Sequence, residues 1–149
     1  MRRFIAIVLI FSLGVAIVGT YISRPPDTVT AGNCSAQDLL SVQQSIANQT
    51  RSLGAQDFGQ AMSYSSDSFR SSISESQFAR IISVGYEFLL QNPEISFDSC
   101  DQNTDGQIVI SAFFDTGSDV TRLTYFMINE KDGWFIDSAS RPGNDQLTV

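Results

Sequence analysis

The chain has no histidine among its 149 residues. That removes the commonest metal ligand and the side chain that most often acts as a base near neutral pH. A histidine-bearing zinc site and a Ser-His-Asp triad are excluded. Lysine is nearly missing too, with Lys131 alone. Nine Lys and Arg stand against 16 Asp and Glu, a net charge of −7, and two of the nine are Arg2 and Arg3. The remainder is more acidic still. Such a surface repels phosphate backbones, so nucleic acid is not an expected partner. No fixed-period repeat is visible, which leaves solenoids aside. Cysteine is limited to Cys34 and Cys100. Outside the cytoplasm an even count suggests one disulfide, and closing so long a loop contributes up to about 4 kcal/mol in the chain-entropy account. Two unpaired thiols are the alternative, because sequence does not show whether the Cα atoms come within bonding range.

Charge is absent from Phe4 to Ile22, nineteen residues in which only Ser12, Thr20 and Tyr21 carry a polar side-chain group. A helix of that length nearly matches a hydrocarbon core of roughly 30 Å. Arg2 and Arg3 before it, against Arg24 after it, favour a cytoplasmic amino terminus and an extracytoplasmic remainder. The expected partner of residues 4–22 is therefore the lipid bilayer, and the expected location is the cell membrane, crossed once. A cleaved signal peptide followed by secretion is the alternative. The run exceeds a usual signal core, and its small-residue cleavage candidates sit inside it (Gly14-Val15-Ala16) or too far beyond (Val29-Thr30-Ala31). The anchor is the favoured reading.

The expected domain organisation is an anchor or signal over residues 1–22 and a Pro-containing linker over 23–33. An extracytoplasmic domain over 34–140 and a tail over 141–149 follow. In the linker, Pro25 and Pro26 deny helix. Ser35 with Asp38 marks a capped helix start, and Leu39, Val42, Ile46 and Leu53 place one apolar face as far as Gly54. A second helix is expected from Ala55 to about Tyr64, then a serine-rich connection over Ser63–Ser76. Ser74-Glu75-Ser76-Gln77 forms a capping box and opens a third helix, stopped by Asn92-Pro93. Beyond Pro93 the apolar period changes from 3.6 to 2. Strands are expected around Ile95–Phe97, Ile108–Phe114, Val120–Ile128 and from Trp134, separated by turns short enough for hairpins. The predicted class is α+β: a transmembrane helix, then three helices packed on a curved, mainly antiparallel four-stranded sheet.

Gln56-Asp57-Phe58, Ala61, Tyr64-Ser65, Phe69-Arg70, Phe78 and Gly85-Tyr86 fall in an order that resembles a bacterial domain-of-unknown-function family. That family belongs to the nuclear transport factor 2-like superfamily, also called SnoaL-like or cystatin-like. The closing Asp132-Gly133-Trp134-Phe135-Ile136 is similar to a strand end common there. The resemblance spans about Leu39 to Ser138. It implies a cone: a bent sheet wrapped around the first long helix, open at one end. Its members include isomerases, dehydratases, cyclases and noncatalytic binding modules, so the fold leaves the function open. The superfamily's catalytic Asp-His pairs have no counterpart here.

Three groups of residues could carry chemistry. Asp57 and Tyr64, seven apart, would share a helix face and could pair in a pocket, with Tyr125 as a further orienting group. The competing account has Asp57 at a helix start and Tyr64 in the core. Arg70 and Tyr86 could fix an anionic ligand, or Arg70 could close a structural ion pair. Asp101, Asn103 and Asp105, with Gly106 and Ile108, match the opening of a calcium loop, but Ala112 stands where a bidentate Glu belongs. An Asp-Gly hairpin turn explains the same residues. No cofactor is expected. The expected function is a membrane-anchored extracytoplasmic binding or interaction module without catalysis, meeting a second copy of itself or an envelope protein. An isomerase- or dehydratase-like enzyme using Asp57, and a weak calcium-binding envelope protein, are the alternatives.

Overall fold

The first long helix, α1 (Ala36–Gly54), starts where the sequence places it. The Ser35 hydroxyl accepts the backbone N–H of Asp38 at 3.1 Å and supplies one of the partners that a helix start lacks. Val42, Ile46 and Leu53 are buried on its inner face. The structure, a computed structural model, describes residues 32–131 and 133–143.

Four helices follow the linker rather than three. α2 is only Phe58–Met62. Its start is delayed by Gln56 in the left-handed region (φ 57°) and by Asp57, which caps it. The serine-rich stretch expected as a connection contains α3 (Asp67–Ser72), capped by the Ser66 hydroxyl on the Phe69 N–H at 3.1 Å. α4 (Glu75–Gly85) opens on the predicted capping box, both of whose hydrogen bonds form between Ser74 and Gln77. It ends earlier than Asn92. Tyr86 (φ −137°) leaves helical geometry, and Glu87–Gln91 tightens into a 3-10 helix.

β1 (Glu94–Gln102), β2 (Ile108–Asp115), β3 (Val120–Glu130) and β4 (Gly133–Ser140) form one antiparallel sheet in the order β1-β2-β3-β4. Ile108, Ile110, Ala112 and Phe114 of β2 and Leu123, Tyr125 and Met127 of β3 face α1, each at most 2% exposed. Burying one large apolar side chain of this kind contributes about 1.5–3 kcal/mol. The opposite face carries Val109, Phe113, Phe126, Ile128 and Phe135, all half-buried.

Two bulges change which residues look inward. In β1 the pairing passes from Phe97–Ala112 to Cys100–Ile110, so β1 holds one extra residue. The alternation that turns Ile95 and Phe97 inward is thereby reset, and Cys100 points inward instead. In β4 the pairing passes from Met127–Ile136 to Phe126–Ser138, so Asp137 is the extra residue. Trp134 and Ile136 face inward before it, and Ala139, opposite Tyr125, does so after it. A bulge re-aims every side chain beyond it on the strand.

Cys34 and Cys100 form a disulfide with Cα atoms 5.8 Å apart, joining the approach to α1 to β1. Asn33 lies along the same strand. Its side-chain amide donates to the Gln102 carbonyl at 2.9 Å and accepts the Gln102 N–H. A third tie comes from β4, where the Trp134 indole N–H donates to Asp38 at 2.9 Å. Among the described residues no helix is long and apolar enough to cross a membrane. The segment 4–22 expected to do so lies outside them.

Candidate functional site

Four aromatic rings run from the helical side of the domain into the sheet. Tyr86 and Phe88 have centroids 6.4 Å apart, Phe88 and Phe114 5.7 Å, and Phe114 and Tyr125 6.2 Å. Local sequence explains each placement. Tyr86 sits where α4 breaks, and Phe88 lies on the 3-10 helix that the break creates. Phe114 and Tyr125 occupy inward positions of β2 and β3.

Arg141 completes this corner. It comes two residues after Ala139, so the Asp137 bulge sets it on the inner side of the sheet. Its guanidinium carbon lies 5.3 Å from the Tyr86 ring centroid and 5.1 Å from that of Phe88. Both are cation–π distances. Its Nε is buried and has no hydrogen-bond partner. Among the described residues, neither the Tyr86 nor the Tyr125 hydroxyl makes a hydrogen bond, and Arg141 forms no ion pair. Burial, and secondarily the neighbouring Tyr86, holds the Tyr125 phenol protonated well above the usual tyrosine range. Tyr86, Phe88 and the Arg141 guanidinium thus meet at one place, with the Tyr125 phenol farther along the row of rings, in the core. Among the described residues no carboxylate is bonded to Arg141 or to either phenol.

The sequence candidates fall elsewhere or divide. Asp57 is exposed and its carboxylate accepts the Gln60 N–H at 2.9 Å, capping α2. Tyr64 lies beyond the end of that five-residue helix, so the expected shared helix face does not exist. Its hydroxyl accepts from the Gln60 side chain at 3.3 Å. Tyr125 is in the core, only 2% exposed. Arg70 pairs with Asp67, donates to the Ser63 carbonyl at 3.0 Å and lies 5.6 Å over the Phe135 ring. It is a structural cation, while Tyr86 belongs to the aromatic corner.

The calcium-like stretch is a hairpin turn. Asp101 is still within β1, paired with Val109. The Asn103 Oδ1 accepts the N–H groups of Asp105 at 3.1 Å and Gln107 at 2.9 Å, and Gly106 turns the chain at φ 82°. That oxygen is committed to the backbone. Among the described residues no three His, Cys, Asp or Glu side chains are grouped to hold a metal.

A shallow depression of about 350 Å³ lies between α1 and the start of β1, lined by Ala47, Thr50, Arg51, Asn92, Pro93 and Ile95. Two of its polar side chains already have partners: Thr50 donates to the Ile46 carbonyl at 2.9 Å and Arg51 to Asn48 at 2.8 Å. The aromatic corner, where the buried Arg141 Nε lacks a partner, is the stronger site. Arg141 was invisible as a site residue in the sequence, where it opens the expected tail. The one usable signal was an arginine immediately following the last strand.

No curated protein and no solved structure matches the chain. Residues 35–143, from the cap of α1 through Arg141 to Gly143, match a family described as a domain of unknown function, DUF4864. The match covers well over half of the sequence, and the chain belongs to that family.

Proposed function

We propose that this protein is a noncatalytic binding module with the cone-shaped architecture of the nuclear transport factor 2-like superfamily, tethered to the bilayer by residues 4–22 with its α+β domain on the extracytoplasmic side. The observation that carries the binding role is the aromatic corner, where the Arg141 guanidinium lies over the Tyr86 and Phe88 rings with its Nε buried and without a hydrogen-bond partner. Such a place can hold a ligand. Among the described residues no carboxylate is hydrogen-bonded to Arg141 or Tyr86. Asp57, the candidate base, is spent on capping an outer helix, and the chain has no histidine. The uncharged run from Phe4 to Ile22 supports the tether.

Self-association through the outer face of the sheet is the second reading, favoured by half-buried Val109, Phe113, Phe126, Ile128 and Phe135. Two of those rings are already covered by cations: Arg122 lies 5.7 Å over Phe113 and Arg70 5.6 Å over Phe135. Desolvating both guanidinium groups would weaken a dry interface, so the corner is preferred.

Membrane fractionation and turnover assays test the proposal. The full chain is expected in membranes after an alkaline wash, with its domain open to external protease. Recovery of the unprocessed chain in the aqueous fraction refutes the tether. Turnover of a small molecule that is lost on Asp57→Asn refutes the noncatalytic role.

A further inference from the structure

We infer that the outer edge of β1 is a docking strip for a basic, extended segment of a partner protein, which adds there as a further strand. The strip shares no residue with the aromatic corner and does not depend on it. β1 lies at one end of the order β1-β2-β3-β4, and among the described residues only Asn33 hydrogen-bonds to the backbone on its free side, at Gln102. The opposite edge of the sheet is covered: Ile136 of β4 donates to the Tyr64 carbonyl at 2.9 Å and accepts the Ser66 N–H at 2.8 Å. Asn33 also shows which residues face the free side. The Gln102 N–H and carbonyl both turn to Asn33, so Gln102 and Ile108 stand opposite each other without exchanging bonds. Alternation along β2 gives Ala112 and Phe114 the same status, and they stand opposite Phe97 and Ile95. The backbone groups of Ile95 and Phe97 therefore point outward, spaced as an added strand needs.

Side chains select what arrives. The side chains of Ile95 and Phe97 pack toward the core, and Ile95 lines the depression of about 350 Å³ beside α1 together with Ala47 and Pro93. An inward side chain of the added strand meets that apolar hollow, and Arg51, which also lines it, repels a cation there. The outward positions are acidic. Glu94 stands directly opposite Asp115, both are exposed, and like charges so placed repel. Asp98 and Asp101 follow on β1, which has no Lys or Arg over Glu94–Gln102. A lysine or arginine on the outward side of an added strand relieves this repulsion. Two copies joined β1 to β1 would instead bring the acids together. Alternating apolar and basic residues are the chemistry that fits, and the net charge of −7 favours their approach.

The test uses the full chain in an uncharged detergent, with calorimetry and amide exchange against two capped peptides, one of alternating lysine and valine and one of alternating glutamate and valine. At low salt the basic peptide is expected to bind at least about tenfold more tightly than the acidic one. It should slow exchange at the Ile95 and Phe97 amides by at least about tenfold. A proline at its centre should abolish binding, which charge attraction alone would not require. Glu94→Gln combined with Asp98→Asn should weaken the basic peptide severalfold, and Ala47→Phe should do so by filling the depression. Glu75→Gln, on α4, should change nothing. A circular-dichroism melt of each variant separates lost binding from lost folding. Equal binding of the two peptides overturns the basic partner, and protection that falls outside β1 overturns the strip. No heat with millimolar amounts of either peptide overturns the assignment altogether. Ile95 and Phe97 amides already slow in the free chain assign the edge to a second copy if dilution speeds them, or to residues 23–31 if it does not, and either overturns the partner segment. The tether and the noncatalytic role are decided by fractionation and turnover instead.

Discussion

Removing the Asp38 carboxylate should loosen the whole amino-terminal end of α1, and the chain carries its own reporter. Trp134 is the only tryptophan, and its indole N–H donates to Asp38 at 2.9 Å from a site just 7% exposed. The other carboxylate oxygen accepts from Ser35 at 2.7 Å. A hydrogen bond to a charged acceptor contributes about 1.5–3 kcal/mol, and the partial exposure of Asp38 moves the figure toward the lower end. Asp38→Ala, which also strands a buried indole donor, should therefore cost about 1.5–2 kcal/mol. In a domain of this size that is a fall of roughly 10 °C in Tm. Asp38→Asn keeps an acceptor for the indole and should cost about half as much. The bonds from Ser35, then Trp134, hold the Asp38 carboxyl below its ordinary 3.8. A depressed acid stabilises the fold above the unfolded value, and that contribution disappears as pH falls through the folded one. The gap between wild type and Asp38→Asn should thus be constant above about pH 5 and close below 3.8. Urea melts followed by tryptophan emission measure it at each pH. A gap that persists unchanged at the acid end, or an Asp38→Ala melt that overlays wild type, would show that the Trp134–Asp38 bond does not form.

Three further outcomes are expected. Replacing both Cys34 and Cys100 with alanine should lower stability by about 3–4 kcal/mol for a sequence separation of 66, with reductant then having no added effect on melting; a loss under 1 kcal/mol would contradict the cross-link. Gly54→Ala should destabilise by about 1–2 kcal/mol despite better helix propensity, because the new methyl overlaps the Asn92 side chain. Asn92→Gly, at a left-handed residue with φ 53°, should restore much of that loss in the double variant, as thermal melts will show. Asn103→Ala should cost about 1 kcal/mol by removing the acceptor for two turn N–H groups, and millimolar Ca²⁺ should shift neither Tm; a calcium-dependent gain in wild type alone would revive the loop as a site.

Much of the fold is written in local chemistry. Ser35 and Ser74 cap helices where they are expected to, and the change of period after Pro93 marks the sheet. Those signals act over three or four residues, so a sequence displays them directly. α3 was hidden by composition. Serines look like a connection, yet Ser66 caps a turn of helix and Arg70 braces it from the far end. α4 ends early at Tyr86, whose ring lies against Phe88 and Arg141, contacts that the neighbouring residues do not announce. The site was half legible. Tyr86 stands out as a polar aromatic, but what brings it to Arg141 is an inserted residue in β4. A bulge changes the register without changing the alternating look of the strand. Asp57 and Tyr64 show the opposite error: spacing that suggests a shared face means nothing once the helix ends between them.

The three ties at the beginning of the domain have a mechanical consequence. Tension applied to the backbone ahead of residue 32 reaches the Asn33–Gln102 pairing and then the Cys34–Cys100 bond before it reaches the first turn of α1. The pull is passed across to the sheet, where strand ladders would have to slide past one another, instead of unwinding the helix one turn at a time. A globule held this way can be pulled from its amino-terminal side without its aromatic corner changing shape.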